Sequence, residues 1–230
     1  MGKIDKEVVT VWYEDKHLLI VDKPAGMVTT RERSTDERNI YLEDWMKLYF
    51  PNDLPREGIV HRLDKGTSGV VIIARDGETL GLLKSLIKNR KVVKKYLALV
   101  GGDLPKVGDI KMPIKRSKYS FGKFRVDESG KEAITEFERI KKLKIGGKIF
   151  SLVLVNLKTG RTHQIRVHFS YLGWPLVGDT LYKGGVVAGL SHQFLHATSI
   201  KLAHPITNKI IEVNSILPGD LQQIIDNYES

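Results

Sequence analysis

The chain has 230 residues, and its 37 lysines and arginines outnumber 27 aspartates and glutamates, which gives a formal net charge of +10 at pH 7. The lack of cysteine excludes disulfides, thiol catalysis and thiolate metal sites, and the lack of an apolar run near the roughly 18 residues of a membrane span or of a signal peptide's apolar region predicts a cytoplasmic protein. The positive charge favours a polyanionic partner, such as RNA, DNA or an anionic membrane surface.

The predicted elements alternate between strands and helices. Period-two alternation and buried apolar runs predict strands over residues 8–13, 17–21, 69–74, 92–100, 133–140, 150–157, 194–202 and 210–213. Helical spacing predicts helices over residues 40–50, 162–171 and 221–228, and another from the N-cap Asp76 to about Asn89. Residues 29–39 are typical of a surface loop, and residues 108–126 of strands with a basic rim. Without a linker or internal repeat, this order predicts a single α+β domain over residues 1–230.

Residues 58–74 are the most informative segment. Charged and hydroxyl residues stand there between two apolar runs, which places Asp64 at the edge of a core. A purely structural interpretation is a turn, because Asp64, Gly66 and Ser68 are all turn formers. Taken whole, the segment resembles the HRLD-x-x-TSG motif of the RluA-type pseudouridine synthases, enzymes that isomerise uridine in structured RNA. The aspartate of that motif, here Asp64, is the family's essential catalytic carboxylate.

The resemblance extends in order over nearly the whole chain. Residues 18–27 are similar to the family's opening motif, and residues 95–101 to the segment with its active-site tyrosine, here Tyr96. The residue before that tyrosine is commonly threonine in the family, whereas here it is Lys95. Residues 159–168 resemble the third motif, which contains Arg166, and residues 172–182 and 194–197 match downstream signatures with structural roles. Without the family, Tyr96 would be a core residue and residues 159–168 a solvent-facing basic helix start.

The resemblance implies a catalytic set of three residues. Asp64 attacks the base or the sugar, or it assists a glycal intermediate by proton removal. Arg166 pairs with Asp64 and keeps this acid charged in a pocket that would otherwise raise its pKa. Tyr96 offers a ring on which uracil can stack and a phenol that can relay a proton.

Four further residues are predicted to bind the substrate. Arg62 is the candidate to fill the gap left by the target uridine, which must leave its stack, and His61 supports that loop or binds phosphate. Arg161 and His163 belong to the third motif. Phosphate contacts are expected from lysines and arginines among Lys88, Arg90, Lys91, Lys94, Lys111, Lys115, Arg116 and Lys118.

The family fold is a mixed, largely antiparallel sheet with flanking helices and loops around a basic cleft. We therefore expect an α+β pseudouridine synthase fold that binds structured RNA, either transfer RNA or large-subunit ribosomal RNA. The opening motif begins at residue 18, so we expect the short form, without the extra N-terminal RNA-binding domain of many relatives. An isomerisation needs neither NAD nor ATP, and we expect a monomer with no cofactor and no membrane partner.

One alternative is a catalytically idle RNA-binding or RNA-folding protein of the same fold. The complete set of catalytic residues argues against it. Another is a hydrolytic glycosidase or metal nuclease, which would need a second carboxylate or a metal cluster. Asp22 or Asp179 could supply that carboxylate, although neither has a spacing that suggests it. His192 and His196 have helical ligand spacing, but their segment is predicted to be a loop entering a strand, so we expect no metal.

Overall fold

The computed structural model describes residues 4–31, 36–118, 120, 122–185 and 189–228. The chain forms two compact units, the first from Met1–Val93 and Ala197–Ile216 and the second from Lys94–His196 and Leu217–Ser230. Each unit combines an earlier and a later part of the chain, so neither is a continuous segment. The prediction of a single domain over residues 1–230 stays a prediction.

Strands and helices of the described residues are named in chain order. The strands are β1 (Thr10–Glu14), β2 (Leu18–Lys23), β3 (Ser68–Ala74), β4 (Val93–Gly101), β5 (Val107–Lys111), β6 (Ile114–Arg116), β7 (Phe124–Val126), β8 (Ile134–Ile145), β9 (Lys148–Leu157), β10 (Leu195–Ala203) and β11 (Ile210–Asn214). The α-helices are α1 (Leu42–Tyr49), α2 (Gly77–Lys88), α3 (Gln164–Tyr171) and α4 (Gly219–Asp226). None of the helices in the described ranges is long and apolar enough to cross a membrane.

The first unit is built on strands β1, β2, β3 and β10, which are neighbours in that order, with β11 beside β10. The pairs β1–β2, β2–β3 and β10–β11 are antiparallel. Every residue of β3 is buried, as its continuous apolar run requires. At the start of β3, Gly69 has a φ of +113°, and a Cβ there would lie 2.3 Å from the carbonyl oxygen of Ala197. Only glycine permits both this backbone conformation and this approach.

Asp15 joins two distant parts of the chain within the first unit. Its carboxylate accepts hydrogen bonds from the backbone N–H groups of His17 and Leu18 at 2.7 and 2.9 Å, which closes the β1–β2 hairpin. His204, just after β10, lies with Nε2 2.8 Å from the same carboxylate. The Nδ1 of His204 accepts hydrogen bonds from the N–H groups of Ile206 and Thr207. The Nε2 therefore carries the proton and donates a hydrogen bond to Asp15.

The second unit is built on β4, β9, β8 and β5, each antiparallel to its neighbour. Its main core cluster packs apolar residues of these strands against helix α4 and the segment before β10, among them Leu99, Leu152, Val177, Phe194, Leu221 and Ile224. Strands β6 and β7 form a separate two-stranded sheet. The structure confirms an α+β fold with a largely antiparallel sheet.

The structure confirms the predicted order of elements and moves several boundaries. Helix α3 begins two residues later than predicted because His163 has a left-handed φ of 56°. Strand β8 runs to Ile145, five residues past the predicted end, through an irregular register between Arg139 and Lys141. Asp76 caps α2 as predicted and accepts from the N–H of Thr79. Residues 32–35 of the predicted loop and residues 119 and 121 of the predicted basic strands lie outside the described residues.

Lys23, at the end of β2, is completely buried. Its Nζ donates to the carbonyl oxygens of Pro24 and Met27, each at 2.8 Å, and to that of Lys65 at 3.4 Å. Burial lowers the pKa of Lys23 to about 7, although the carboxylates of Asp64 and Asp22 raise it. The lysine therefore ties the turn after β2 to the loop that precedes β3.

The lowered pKa of Lys23 predicts a pH dependence of stability. The unfolded lysine loses its proton near its ordinary pKa of 10.5 and the folded one near 7, so the unfolded state binds more protons between these values, and Lys23 favours folding increasingly as the pH rises. The relevant quantity is the free energy of unfolding of the wild type minus that of Lys23→Met. This difference should rise by on the order of 2 kcal/mol from pH 7 to pH 9. Urea denaturation at both pH values measures this difference.

The exposed Lys84 of α2 supplies the control. The difference between the wild type and Lys84→Met should not change with pH over the same range. If the difference between the wild type and Lys23→Met is equally constant, the three carbonyl oxygens hold Lys23 as an ammonium up to alkaline pH. The folded lysine then does not lose its proton near pH 7.

Candidate active site

The loop that carries Asp64 lies in the first unit and leads into β3. Leu63 is buried, and the hydroxyl of Thr29 accepts from its N–H at 3.1 Å and donates to its carbonyl at 2.8 Å. The N–H of Thr67 donates to the carbonyl of Asp64 at 3.0 Å, which closes a turn. Asp64 itself is half-buried. Thr29 and backbone groups therefore shape this loop on both sides of the carboxylate.

His61 and Arg62 stand on the same loop with different exposures. The Nε2 of His61 accepts from the N–H of Ile72 in β3 at 3.0 Å, so the ring is neutral in this contact and carries its proton on Nδ1. His61 thus connects the loop to the strand behind it, which supports the first of its two predicted roles. Arg62 is exposed, as a residue that enters an RNA stack must be.

Lys23 was not predicted to take part in this site. Its ammonium lies close enough to Asp64 for the two charges to interact, and its third acceptor is the carbonyl of Lys65, the residue after Asp64. The N–H of Gly26 donates to the same carbonyl at 2.8 Å. The signals for this role in the sequence are the position of Lys23 directly before a proline and its place within residues 18–27, which resemble the family's opening motif.

Tyr96 lies in the second unit, on β4, opposite Val155 of β9. It is 6% exposed, which leaves the ring largely shielded from water. Because side chains alternate along a strand, Lys94 and Tyr96 face one side of β4 and Lys95 the other. This matches the burial, since Lys94 is partly buried and Lys95 is exposed.

The third motif forms a turn that Gln164 organises. The side-chain oxygen of Gln164 accepts from the hydroxyl of Thr159 at 2.7 Å and from the N–H of Arg161 at 3.0 Å. Its side-chain nitrogen donates to the carbonyl of Ile134 and the hydroxyl of Thr135. Arg161 is exposed and donates through Nε to the carbonyl of Glu132 at 2.9 Å. Arg161 is thus placed at the surface, as a substrate contact requires.

Arg166 is buried in α3 and forms an ion pair with Asp179. Its Nε lies 2.7 Å and its Nη2 2.9 Å from the two carboxylate oxygens of Asp179, and the two side chains are 8% and 1% exposed. The ring of Tyr182 stacks against the guanidinium at 5.0 Å. A solvent-facing basic helix start is therefore ruled out for this residue. The pairing of Arg166 with Asp64 stays a prediction.

His163 belongs to a small aromatic cluster. Its Nδ1 lies 2.9 Å from the hydroxyl of Tyr182, which accepts from the N–H of Phe124 at 2.9 Å. The rings of Phe124 and Tyr182 both meet the imidazole edge to face. The structure thus gives His163 a packing role beside Arg166, and its predicted contact with substrate stays a prediction.

The two carboxylates considered as a second catalytic acid both have structural partners. Asp179 pairs with Arg166, as described above, and Asp22 accepts from the indole N–H of Trp12 at 3.2 Å and from the hydroxyl of Ser215. These contacts leave the glycosidase alternative without support. Of the histidines weighed as metal ligands, His192 lies with Nε2 2.9 Å from the carboxylate of Asp220.

Breaking the Arg166–Asp179 pair should destabilise the protein strongly. Asp179→Asn leaves the guanidinium buried without its counter-charge, which costs about 3–5 kcal/mol of unfolding free energy. Asp109→Asn is the matched control, because Asp109 pairs with Lys111 at the surface of the same unit, where such pairs contribute about 0–1 kcal/mol. Urea denaturation of both variants measures the difference. Equal losses would show that burial gives the Arg166–Asp179 pair no special weight.

The comparisons with known proteins agree on one family. The family model for RNA pseudouridylate synthase matches residues 17–171. The chain is 34% identical to the ribosomal large subunit pseudouridine synthase D of Buchnera aphidicola, over 93% of this chain and 71% of that protein. It is 36% identical to the uncharacterized RNA pseudouridine synthase YlyB of Bacillus subtilis, over 94% of this chain and 72% of that protein.

A solved structure supports the same assignment. The structure of human RNA pseudouridylate synthase domain containing 1 aligns with a TM-score of 0.74 at 28% identity and covers 95% of this chain and 87% of that one. The predicted pseudouridine synthase fold is thereby confirmed, and nothing in these matches favours a catalytically idle protein. The chain belongs to the RluA-type pseudouridine synthase family, whose members are enzymes that isomerise uridine in RNA to pseudouridine.

Proposed function

We propose that this enzyme isomerises uridine in large-subunit ribosomal RNA, with Asp64 as its catalytic carboxylate. The observation that carries the role of Asp64 is its position: it is half-buried on a loop that Thr29 and His61 fasten to the first unit. The choice of ribosomal RNA over transfer RNA rests on the names of relatives such as the synthase D of Buchnera aphidicola.

The reaction requires few groups. The bond between N1 and the ribose breaks, the uracil turns, and C5 takes the place of N1; the proton on C5 is lost and N1 gains one, so there is no net oxidation or hydrolysis. A charged carboxylate beside the ribose or base, an aromatic surface and the exclusion of water meet these needs. Asp64 supplies the carboxylate, and the largely buried ring of Tyr96 supplies the surface.

Arg166 provides positive charge for the catalytic carboxylate in this proposal. Asp179 occupies the edge of the guanidinium formed by Nε and Nη2, which fixes the plane of the group. Arg62 enters the RNA stack, and Arg161 contacts the backbone of the RNA. The enzyme acts as a monomer in the cytoplasm.

The role of Asp64 predicts the outcome of a conservative change. Asp64→Asn keeps the shape of the side chain and removes its charge, so tritium release from RNA labelled at uridine C5 should fall at least about a hundredfold. RNA affinity should stay within a few-fold of the wild type. The exposed Asp53 gives the control, since Asp53→Asn removes the same charge elsewhere in the first unit.

Two substrates separate the parts of this proposal. Large-subunit ribosomal RNA and transfer RNA, both from cells that lack this gene, are offered to the wild type and to both variants. Tritium release from the ribosomal RNA alone is expected. Release from transfer RNA alone would overturn the choice of substrate, and full activity of Asp64→Asn would remove Asp64 from the mechanism.

The role of Arg62 predicts a dependence on RNA structure. If Arg62 fills the position of the flipped uridine, Arg62→Ala should slow single-turnover modification sharply on folded RNA and much less on RNA whose target uridine is already unstacked. Fluorescence of 2-aminopurine beside the target reports unstacking. Lys84→Ala, which removes an exposed cation from the same unit, should affect neither rate. Equal losses on both RNAs would instead identify Arg62 as a simple phosphate contact.

A further inference from the structure

Lys94 differs from the other cations of the second unit in its surroundings. It is partly buried on β4, and burial lowers the pKa of its ammonium, with no carboxylate to offset the effect. No residue in the described ranges forms a hydrogen bond or an ion pair with its Nζ. A cation that is partly withdrawn from water without an anion beside it costs free energy, which a bound anion would recover.

A glycine lies beside this ammonium. A Cβ on Gly160 would lie 3.5 Å from the Nζ of Lys94 and would meet no other atom within 4 Å. Gly160 is exposed, and its φ lies outside the left-handed region, so the backbone itself does not require glycine. What the missing side chain preserves is open space beside the ammonium, which is a common reason for glycine where a ligand approaches closely.

Lys23, the buried lysine of the first unit, shows which partners surround an ammonium that has a structural role. Lys23 has three carbonyl acceptors and two neighbouring carboxylates. Lys94 has none of these among the described residues, although it is also partly buried. The contrast indicates that the partner of Lys94 comes from outside the chain.

We propose that Lys94 and the turn at Gly160 form a binding site for one phosphate of the RNA backbone next to the target uridine. The inference rests on the proposed function. Lys94 and Tyr96 face the same side of β4 two residues apart, which separates them by about 6–7 Å along the strand. A nucleotide stacked on Tyr96 therefore places a neighbouring phosphate within reach of the ammonium.

Four variants test the site. Lys94→Ala should weaken RNA binding about tenfold and reduce the slope of log affinity against log salt by about 0.7. Lys95→Ala is the matched control, because it removes an exposed cation from the opposite face of the same strand. Gly160→Ala should weaken binding a few-fold, and should add nothing further to the loss in Lys94→Ala. Measuring binding in an Asp64→Asn background removes turnover from the comparison.

Thermal unfolding separates a ligand site from a structural role. Lys94→Ala removes a desolvated charge without breaking a bond to any described residue, so its melting temperature should equal or exceed that of the parent. A lower melting temperature together with unchanged RNA affinity would overturn the proposal.

A chemical change in the RNA completes the test. Methylphosphonates, which lack the negative charge, are placed singly at each phosphate within three nucleotides of the target. At one position, the wild type should bind no better than Lys94→Ala. If the difference persists at every position, the phosphate site is wrong. Failure of the wild-type enzyme to modify the same RNA without methylphosphonates is a separate result and would overturn the proposed function instead.

Discussion

Removing the guanidinium of Arg166 from water requires an anion, and Asp179 supplies one in a two-point contact from outside the helix. Helix α3 has only eight residues, a length at which a helix depends on tertiary contacts. The segment around Asp179 is secured in turn, since the N–H of Gly184 donates to the carbonyl of Asp179 at 2.7 Å. The hydroxyl of Ser170 donates to the carbonyl of Tyr182, which joins the same segment back to α3. One ion pair thus orients a charged side chain and holds a short helix in place.

The loop around Asp64 is stabilised in a different way. Within the first unit, it is held by the hydroxyl of Thr29, by the imidazole of His61 and by the ammonium of Lys23, which donates to a backbone carbonyl. These three contacts do not use the Asp64 carboxylate. A catalytic residue can change its charge or its partner during a reaction only if the fold around it has such independent support.

Much of the fold could be predicted because its signals are local. The apolar runs of β2 and β3 and the capping aspartate before α2 are visible within a few residues. The positions of Asp64, Tyr96 and Arg166 followed from similarity to family motifs. The contacts that join distant segments were not predicted, because nothing in a sequence marks which carboxylate meets Arg166 or which carbonyls surround Lys23. Gln164 was missed for the same reason, since two of its four contacts reach Ile134 and Thr135, about 30 positions away.

The bond between Asp15 and His204 spans 189 positions in the sequence, and it lies within a unit whose first part ends at Val93. During synthesis the ribosome must add more than a hundred further residues before this unit can be completed, which takes roughly 5–20 s at 5–20 residues per second. The second unit also waits for its last segment, which includes α4. Until β10 has been synthesised, the apolar strand β3 lacks one of its two neighbours, a state in which chaperones can bind. Neither unit can complete its fold until its later part has been synthesised.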